Sequence, residues 1–368
     1  MDHGHIWVRH EVRSTERRCA VTPDDARALV AAGAELTVEE SPQRIFPLEA
    51  YAAAGARTAP AGSWVDAPDD AFVLGLKELP EGPDRLRHRH IFFGHALKGQ
   101  AEAPALLERF RAGGGTLLDL EYLVGEDGRR VAAFGYWAGY LGAALGVLQL
   151  RGGLAAPLTP TDREELDARL RATTPGGEEA PASTATGATR ALVTGALGRS
   201  GRGAMDALAV AGITGTGWDR EQTRDLDRAA LLDHDLLVHC VLATVPSPAF
   251  VRPEDVTADG RRLSLVVDVT CDTSSALNLL PVYRELTSWQ QPVDRLSDAV
   301  DGLPPLDVIA IDNLPSLLPL EASRTYSADL LPTLLTLVTE GPDAPVWARA
   351  RETFQEALAS GSAHGSKG

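Results

Sequence analysis

Cysteine is scarce in this 368-residue chain: Cys19, Cys240 and Cys271 are the only three, and no Cys-x-x-Cys spacing occurs. So small and odd a set rules out a disulfide framework and a thiolate metal site; no metal is expected, and a reducing compartment fits best. Basic charge is also in short supply. Lys and Arg number 35 against 51 Asp and Glu, a formal net charge of −16, which argues against nucleic acid or an anionic membrane surface as the main partner. The opening stretch MDHGHIWVRHEVRSTERR lacks the apolar core that a signal peptide needs, and a cytoplasmic location is expected. Internal repeats are missing as well.

One segment imitates a membrane span. Residues 131–150, VAAFGYWAGYLGAALGVLQL, carry no charge and two Gly-x-x-x-Gly spacings, Gly135/Gly139 and Gly142/Gly146. Glycine and alanine dilute its hydrophobicity, and nothing else in the chain would accompany it into lipid. A buried helix with close backbone neighbours, at the junction of two domains, explains it.

The chain is 44% apolar and 23% charged, the composition of a soluble globular protein long enough for two domains. In the N-terminal half, apolar strands (IWVRHE, ELTVEE, AFVLGLKE, HIFFGH, TLLDLEYL) alternate with amphipathic helices, one starting at Thr22-Pro23-Asp24-Asp25 and one through APALLERFRAG. That alternation is an α/β pattern. Thr22 is an N-cap, Pro23 suits the first turn, and the two acids face the positive end of the helix dipole. Residues 173–189 have neither periodicity nor apolar bulk and read as a flexible loop. Strands LLVHCVL, LSLVVDVT and DVIAIDNLP follow, then helices around LLPTLLTLV and VWARARETFQEALA. These closing helices can return to the first domain, which gives an expected division into 1–135 plus 322–360, a discontinuous substrate domain, and 136–321, a dinucleotide domain, with a cleft between two Rossmann-like lobes. Residues 361–368 are expected to be disordered.

Within the second lobe, RALVTGALGRSGRGAMDALAVAGITGTGWD over 190–219 reads as strand, glycine turn, helix and a second strand ending in an acid. Gly195, Gly198 and Gly201 fall at the turn, where missing side chains let backbone N–H groups approach a pyrophosphate. Asp219 lies about 20 residues on, where a dinucleotide fold places the acceptor for the ribose hydroxyls of NAD. NAD is therefore favoured over NADP, although the spacing is Gly-x-x-Gly-x-x-Gly and Arg220 and Arg224 are close enough in sequence to meet a 2′-phosphate. In the first lobe, Lys77 (GLKELP) and His95 (FFGHALKGQ) end neighbouring strands. Ligands of open α/β sheets gather at such ends, so both are candidates for one crevice; each alone is more often a solvated lysine or a hydrogen-bonded structural histidine, and the pairing brings the two readings level. Arg18, Glu78 and Glu121 add charges that can hold a carboxylated substrate or tune neighbouring pKa values.

Taken together, the segments ERRCAVTP, VEESPQRIF, PAGSWVDAP, GLKELP, GHALKGQ, GRRVAAFG, GAALGV, GALGRSGRGA, WDREQT, VVDVTCDT and IDNLPSLLPLEAS resemble the NAD-dependent, L-lysine-forming saccharopine dehydrogenase family. The resemblance spans nearly the whole chain, and the architecture is similar to alanine dehydrogenase and the transhydrogenase N-terminal region. It implies a monomeric two-domain enzyme of lysine metabolism that oxidises the secondary amine of an opine, saccharopine, with NAD and hydrolyses the imine to lysine and 2-oxoglutarate. By motif, Lys77 takes the amine proton and His95 is acid and base during hydrolysis. Arg18, Gln100, Phe134, Thr270, Cys271 and Asp272 contact the amino-dicarboxylate; Arg129, Gly198, Arg199, Asp219, Thr223, Leu242, Val269, Ile311, Asp312, Asn313 and Leu314 line the cofactor. Cys271 is a pocket wall, not a nucleophile. Ser200 stands where some relatives have cysteine opposite the equivalent of Cys240, so that disulfide is excluded. Three positions depart from the family pattern: TSSALNLLP after Asp272 replaces an Asn-Pro turn, Leu242 replaces an aromatic, and Leu320 replaces an arginine. The first suggests a reshaped pocket that keeps the hydride chemistry with an amine partner other than lysine. The competing readings are reductive amination with ammonia, as in alanine dehydrogenase, and a nucleotide-binding regulatory protein without catalysis.

Overall fold

A computed structural model describes residues 4–96, 103–172, 189–273 and 275–364, with side chains through 360. The expected loop at 173–189 lies outside the described residues except for Thr189. So do 365–368 of the expected disordered tail, whereas 361–364 continue the last helix. The chain divides into two compact units, residues 1–133 with 319–368, and 134–318.

The first unit is a doubly wound α/β layer. Its elements run β1 (His5–Val8), α1 (Pro23–Ala31), β2 (Glu35–Glu39), α2 (Leu48–Ala53), β3 (Arg57–Ala59), β4 (Phe72–Leu74), β5 (Arg89–Phe92), α3 (Ala103–Gly113) and β6 (Thr116–Asp119). All six strands are parallel, in the order β3-β2-β1-β4-β5-β6. The chain winds outward from β1 to β3, then restarts beside β1 with β4, so the β1/β4 pair is the topological switch point. The central strand β4 is buried along its whole length, and β5 is buried from His90 to Phe92, which is why β4 reads as a continuous apolar run and not as an alternating one. As expected, Thr22 caps α1 by accepting from the Asp25 N–H at 3.3 Å.

In the second unit the elements are α4 (Gly135–Leu150), α5 (Arg163–Ala172), β7 (Ala191–Thr194), α6 (Arg199–Val210), β8 (Thr216–Trp218), α7 (Arg220–Arg224), α8 (Arg228–Leu232), β9 (Leu236–His239), β10 (Leu265–Asp268), β11 (Asp294–Ser297) and β12 (Leu306–Ile309). The sheet order is β11-β12-β10-β9-β7-β8, parallel except for β11. Its switch point lies between β7 and β9. Leu192, Leu237, Val266 and Val308, one from each central strand, share a core with Phe250, Leu279 and Leu280.

The uncharged segment at 131–150 supplies α4, a core helix buried on nearly every side. Its glycines explain each other's spacing. A Cβ on Gly139 would lie 1.8 Å from the Ser200 carbonyl oxygen of α6, and one on Gly142 or Gly146 would press on Val267, Val269 and Leu236 of the sheet. Among the described residues no helix is long and apolar enough to cross a membrane.

Two helices close the chain, α9 (Pro319–Thr339) and α10 (Pro345–His364), and both belong to the first unit. Ser323 and Ser327 of α9 accept from the Cys19 and Thr22 N–H groups at 3.0 and 2.9 Å. From α10, Phe354 packs edge-on against Phe110 at 5.4 Å.

Candidate active site

In the first unit, the candidate residues sit on the loops that leave the carboxyl ends of β1, β4, β5 and β6. The β4 and β5 loops stay hydrogen-bonded past the strand ends, Gly75 N–H to Ile91 at 2.9 Å and Phe93 N–H to Leu76 at 3.1 Å. Lys77 and His95 therefore start from adjacent, rigid positions. His95 has a φ of 48°, a left-handed conformation that costs free energy in a residue with a Cβ. Its ring stacks on Phe93 (centroids 6.4 Å, planes 20° apart), and its Nδ1 lies 3.7 Å from Glu121. Below it, Asp119 is buried and accepts from the Glu121 N–H at 2.9 Å. Burial pushes its carboxyl up to about 6, helped by the Glu121 charge and opposed by the Glu121 N–H and by His95.

Arg18, one of the charges expected to hold a carboxylated substrate, is 4% exposed and grips Glu16, itself fully buried, through Nε and Nη2 at 2.8 and 2.5 Å. Glu78 accepts from Arg13 at 2.9 and 3.2 Å; burial opposes its ionisation, but these bonds hold its carboxyl below the usual range. Arg129 is on the Asp127 hairpin of the same unit, 86% exposed. Gln100 lies outside the described residues.

The second unit carries the remaining candidates, all but Phe134 at the carboxyl ends of β7, β8, β9, β10 and β12. Gly195 has a φ of 71°, and a Cβ there would touch the Cys240 carbonyl at 3.0 Å. Gly198 is the N-cap of α6, and a Cβ on Gly201 would lie 2.1 Å from the Gly195 carbonyl. The turn is thus a bare-backbone cradle at a helix N-terminus, with Arg199 in the first helical turn, and it fits a dinucleotide's pyrophosphate. Asp219 follows β8 as the N-cap of α7 and reaches back to this cradle, accepting from the Leu197 N–H at 3.1 Å and the Arg220 N–H at 2.7 Å. Thr223 donates to the Asp219 carbonyl at 2.9 Å. Leu242 follows β9 and is 53% exposed. Ile311, Asp312, Asn313 and Leu314 follow β12, with Asp312 facing solvent and the other three buried. Phe134 precedes the first residue of α4.

After β10 come Val269, Thr270, Cys271 and Asp272, on a turn that puts Cys271 at a φ of 54°. The hub of that turn is a residue the sequence did not single out. Asp268, 1% exposed, accepts from the Thr270 N–H at 2.8 Å, the Thr270 hydroxyl at 2.7 Å and the Tyr283 hydroxyl at 2.6 Å. Only its place at the end of a buried strand could have marked it. Leu279 and Leu280 of the unusual TSSALNLLP segment go into the core with Tyr283, and Cys271 packs against that same core. Leu320 is half-buried on α9.

Comparison with known proteins decides the family. Residues 7–141 match the model for the alanine dehydrogenase/PNT N-terminal domain. The chain is 42% identical to saccharopine dehydrogenase [NAD(+), L-lysine-forming] of Neurospora crassa over 365 residues, covering 96% of both chains. The Emericella nidulans enzyme of the same name is 41% identical, covering 98% of this chain and 99% of that one. The chain belongs to the saccharopine dehydrogenase family. A solved L-alanine dehydrogenase superposes with a TM-score of 0.62 at 19% identity, covering 97% of this chain and 94% of that chain, so this chain shares its fold with that enzyme.

Proposed function

We propose that this chain is an NAD-dependent saccharopine dehydrogenase, oxidising the secondary amine of saccharopine and hydrolysing the resulting imine to lysine and 2-oxoglutarate. The observation that carries the reading is Lys77 at the switch point of the first sheet with His95 on the loop after the neighbouring strand, in a chain over 40% identical to two such enzymes across its length. Lys77 takes the proton of the secondary amine, which frees the nitrogen lone pair as the C–H bond is oxidised. His95 then relays protons while water adds to the imine carbon and the carbinolamine collapses, with Glu121 3.7 Å from its Nδ1 to orient the ring. NAD, when bound, is the hydride acceptor. The Gly195–Gly201 cradle and Asp219 hold it, with Arg129, Arg199, Thr223, Leu242, Val269 and the 311–314 turn around it. Arg18, Gln100, Phe134, Thr270, Cys271 and Asp272 contact the amino-dicarboxylate. The enzyme works as a cytoplasmic monomer on small amino-acid and 2-oxoacid substrates.

The test is a purified-enzyme assay that follows NADH with saccharopine, and in reverse with 2-oxoglutarate plus lysine or ammonia. Turnover with lysine and none with ammonia is expected. Lys77→Met and His95→Gln are expected to lower kcat by about 10²–10⁴-fold while NAD still binds. Turnover supported by ammonia, or NAD binding with no turnover on any amine, would overturn the reading.

A further inference from the structure

Lys77 is held by a device that its side-chain chemistry does not require. On one side of the β4 loop, Glu11 accepts from the backbone N–H groups of Leu76 and Lys77 at 2.7 and 3.0 Å. On the other, the Arg9 guanidinium donates to the carbonyl oxygens of Lys77 and, at 3.4 Å, Glu78. The two clamping side chains meet each other at 3.4 Å and are 1% and 7% exposed. Both leave the end of β1, the other strand of the switch point, so the clamp spans the switch.

Arg9 reaches the loop only because Gly75 has no side chain: a Cβ there would lie 2.5 Å from the Arg9 guanidinium carbon. Its guanidinium also lies over the Phe92 ring, 5.7 Å from the centroid, and this fixes its plane. A buried ion pair is a poor way to gain stability, since desolvation offsets most of its attraction and an apolar pair of the same volume serves as well. This one directs its hydrogen bonds mainly to the main chain of residues 76–78. With both the N–H and the carbonyl of one residue gripped, its backbone torsions and the direction of its Cα–Cβ bond are set before substrate arrives.

We infer that Arg9 and Glu11 are positioning residues for the proton-accepting Lys77, a paired backbone clamp that fixes the point from which its side chain extends. The inference rests on the reading of Lys77 as the base. Misplacing a reacting group by about 1 Å costs on the order of 10²-fold in rate, which sets the size of the effect to look for.

Two variants disturb the clamp in different ways. Glu11→Gln keeps the volume but leaves one acceptor oxygen for two N–H groups; Gly75→Ala displaces Arg9 and leaves every charge in place. For each, kcat with saccharopine is expected to fall about 10–100-fold, with KM for NAD within about twofold of the parent and a displaced acid limb in the pH profile of kcat/KM. Lys77→Met is run alongside. If Lys77→Met retains turnover, the reading of Lys77 as base fails; if it loses turnover while both clamp variants keep the parent kcat and pH profile, the clamp inference fails. Should the variants not fold, amide hydrogen exchange on the unmodified enzyme decides. Leu76 and Lys77 amides protected like those of β4 support the clamp, and exchange at the rate of an open loop overturns it.

Discussion

Asp119 shows how much a single buried acid tells about its surroundings. Its carboxyl is 1% exposed, and burial raises it from an ordinary 3.8 to about 6. A folded-state value above the unfolded one means that the protonated form is preferred in the native protein. The associated stability is fully present below about pH 4 and is lost as pH rises through about 6; by linkage it amounts to about 3 kcal/mol. Asp119→Asn keeps the oxygen that accepts from Glu121 at 2.9 Å and removes the titration. Urea unfolding of this variant is expected to show higher stability than the parent at pH 8 and a flatter dependence between pH 4 and 7. Parallel curves for the two proteins would show that Asp119 is charged in both states. The sequence offered no hint of this. Asp119 sits in TLLDLEYL, where it reads as the polar end of a strand, and only the approach of the Gly94 loop and Glu121 gives it an environment. Lys77, His95 and Asp219 stand out in the sequence because each follows an apolar strand; the grip of Arg9 and Glu11 on residues 76–78, 65 to 69 residues away, and the Tyr283 bond to Asp268 across 15 leave no such local mark.

Among the elements, α4 has the most specific packing. Its apolar run gave the helix but not its neighbours, whereas the glycines carried the information about distance: Gly139 abuts the backbone of α6 at Ser200, and Gly203 on α6 answers against the Tyr136 carbonyl, where a Cβ would come to 1.9 Å. No side-chain rotation relieves a clash with backbone, so the helices must separate. Gly139→Ala is therefore expected to cost about 3 kcal/mol or more in chemical denaturation. It is also expected to weaken NAD binding, because Ser200 is in the first turn of the helix whose N-terminus forms the cradle. A stability within about 0.5 kcal/mol of the parent would mean that the two helices do not pack this closely. Elements without a strong apolar signal were the ones sequence reading passed over. Both β3 (RTA) and β11 (DRLS) are edge strands with exposed residues, so neither shows the apolar run of a core strand. In α9 the helix continues through Pro332, a residue that ordinarily marks a boundary.

For the whole molecule, the decisive quantity is the linkage between cofactor and stability. The bare-backbone cradle, the α6 N-terminus and Asp219 all lie in residues 134–318, whereas Lys77 and His95 belong to the other unit. A ligand that binds only the native state adds RT ln(1 + [L]/Kd), about 2.7 kcal/mol at a hundredfold excess over Kd. NAD at that excess is expected to raise the unfolding midpoint and to slow amide exchange most in the turns after β7, β8 and β10. NADP at equal concentration is expected to do neither, because its 2′-phosphate would meet the Asp219 carboxylate, already fixed by the Leu197 and Arg220 N–H groups. Asp219→Ser is expected to narrow the difference between the two cofactors by removing that repulsion. Equal protection by NAD and NADP in the parent enzyme would mean that Arg220 and Arg224 dominate the ribose site. The choice of NAD would then have to be sought away from Asp219.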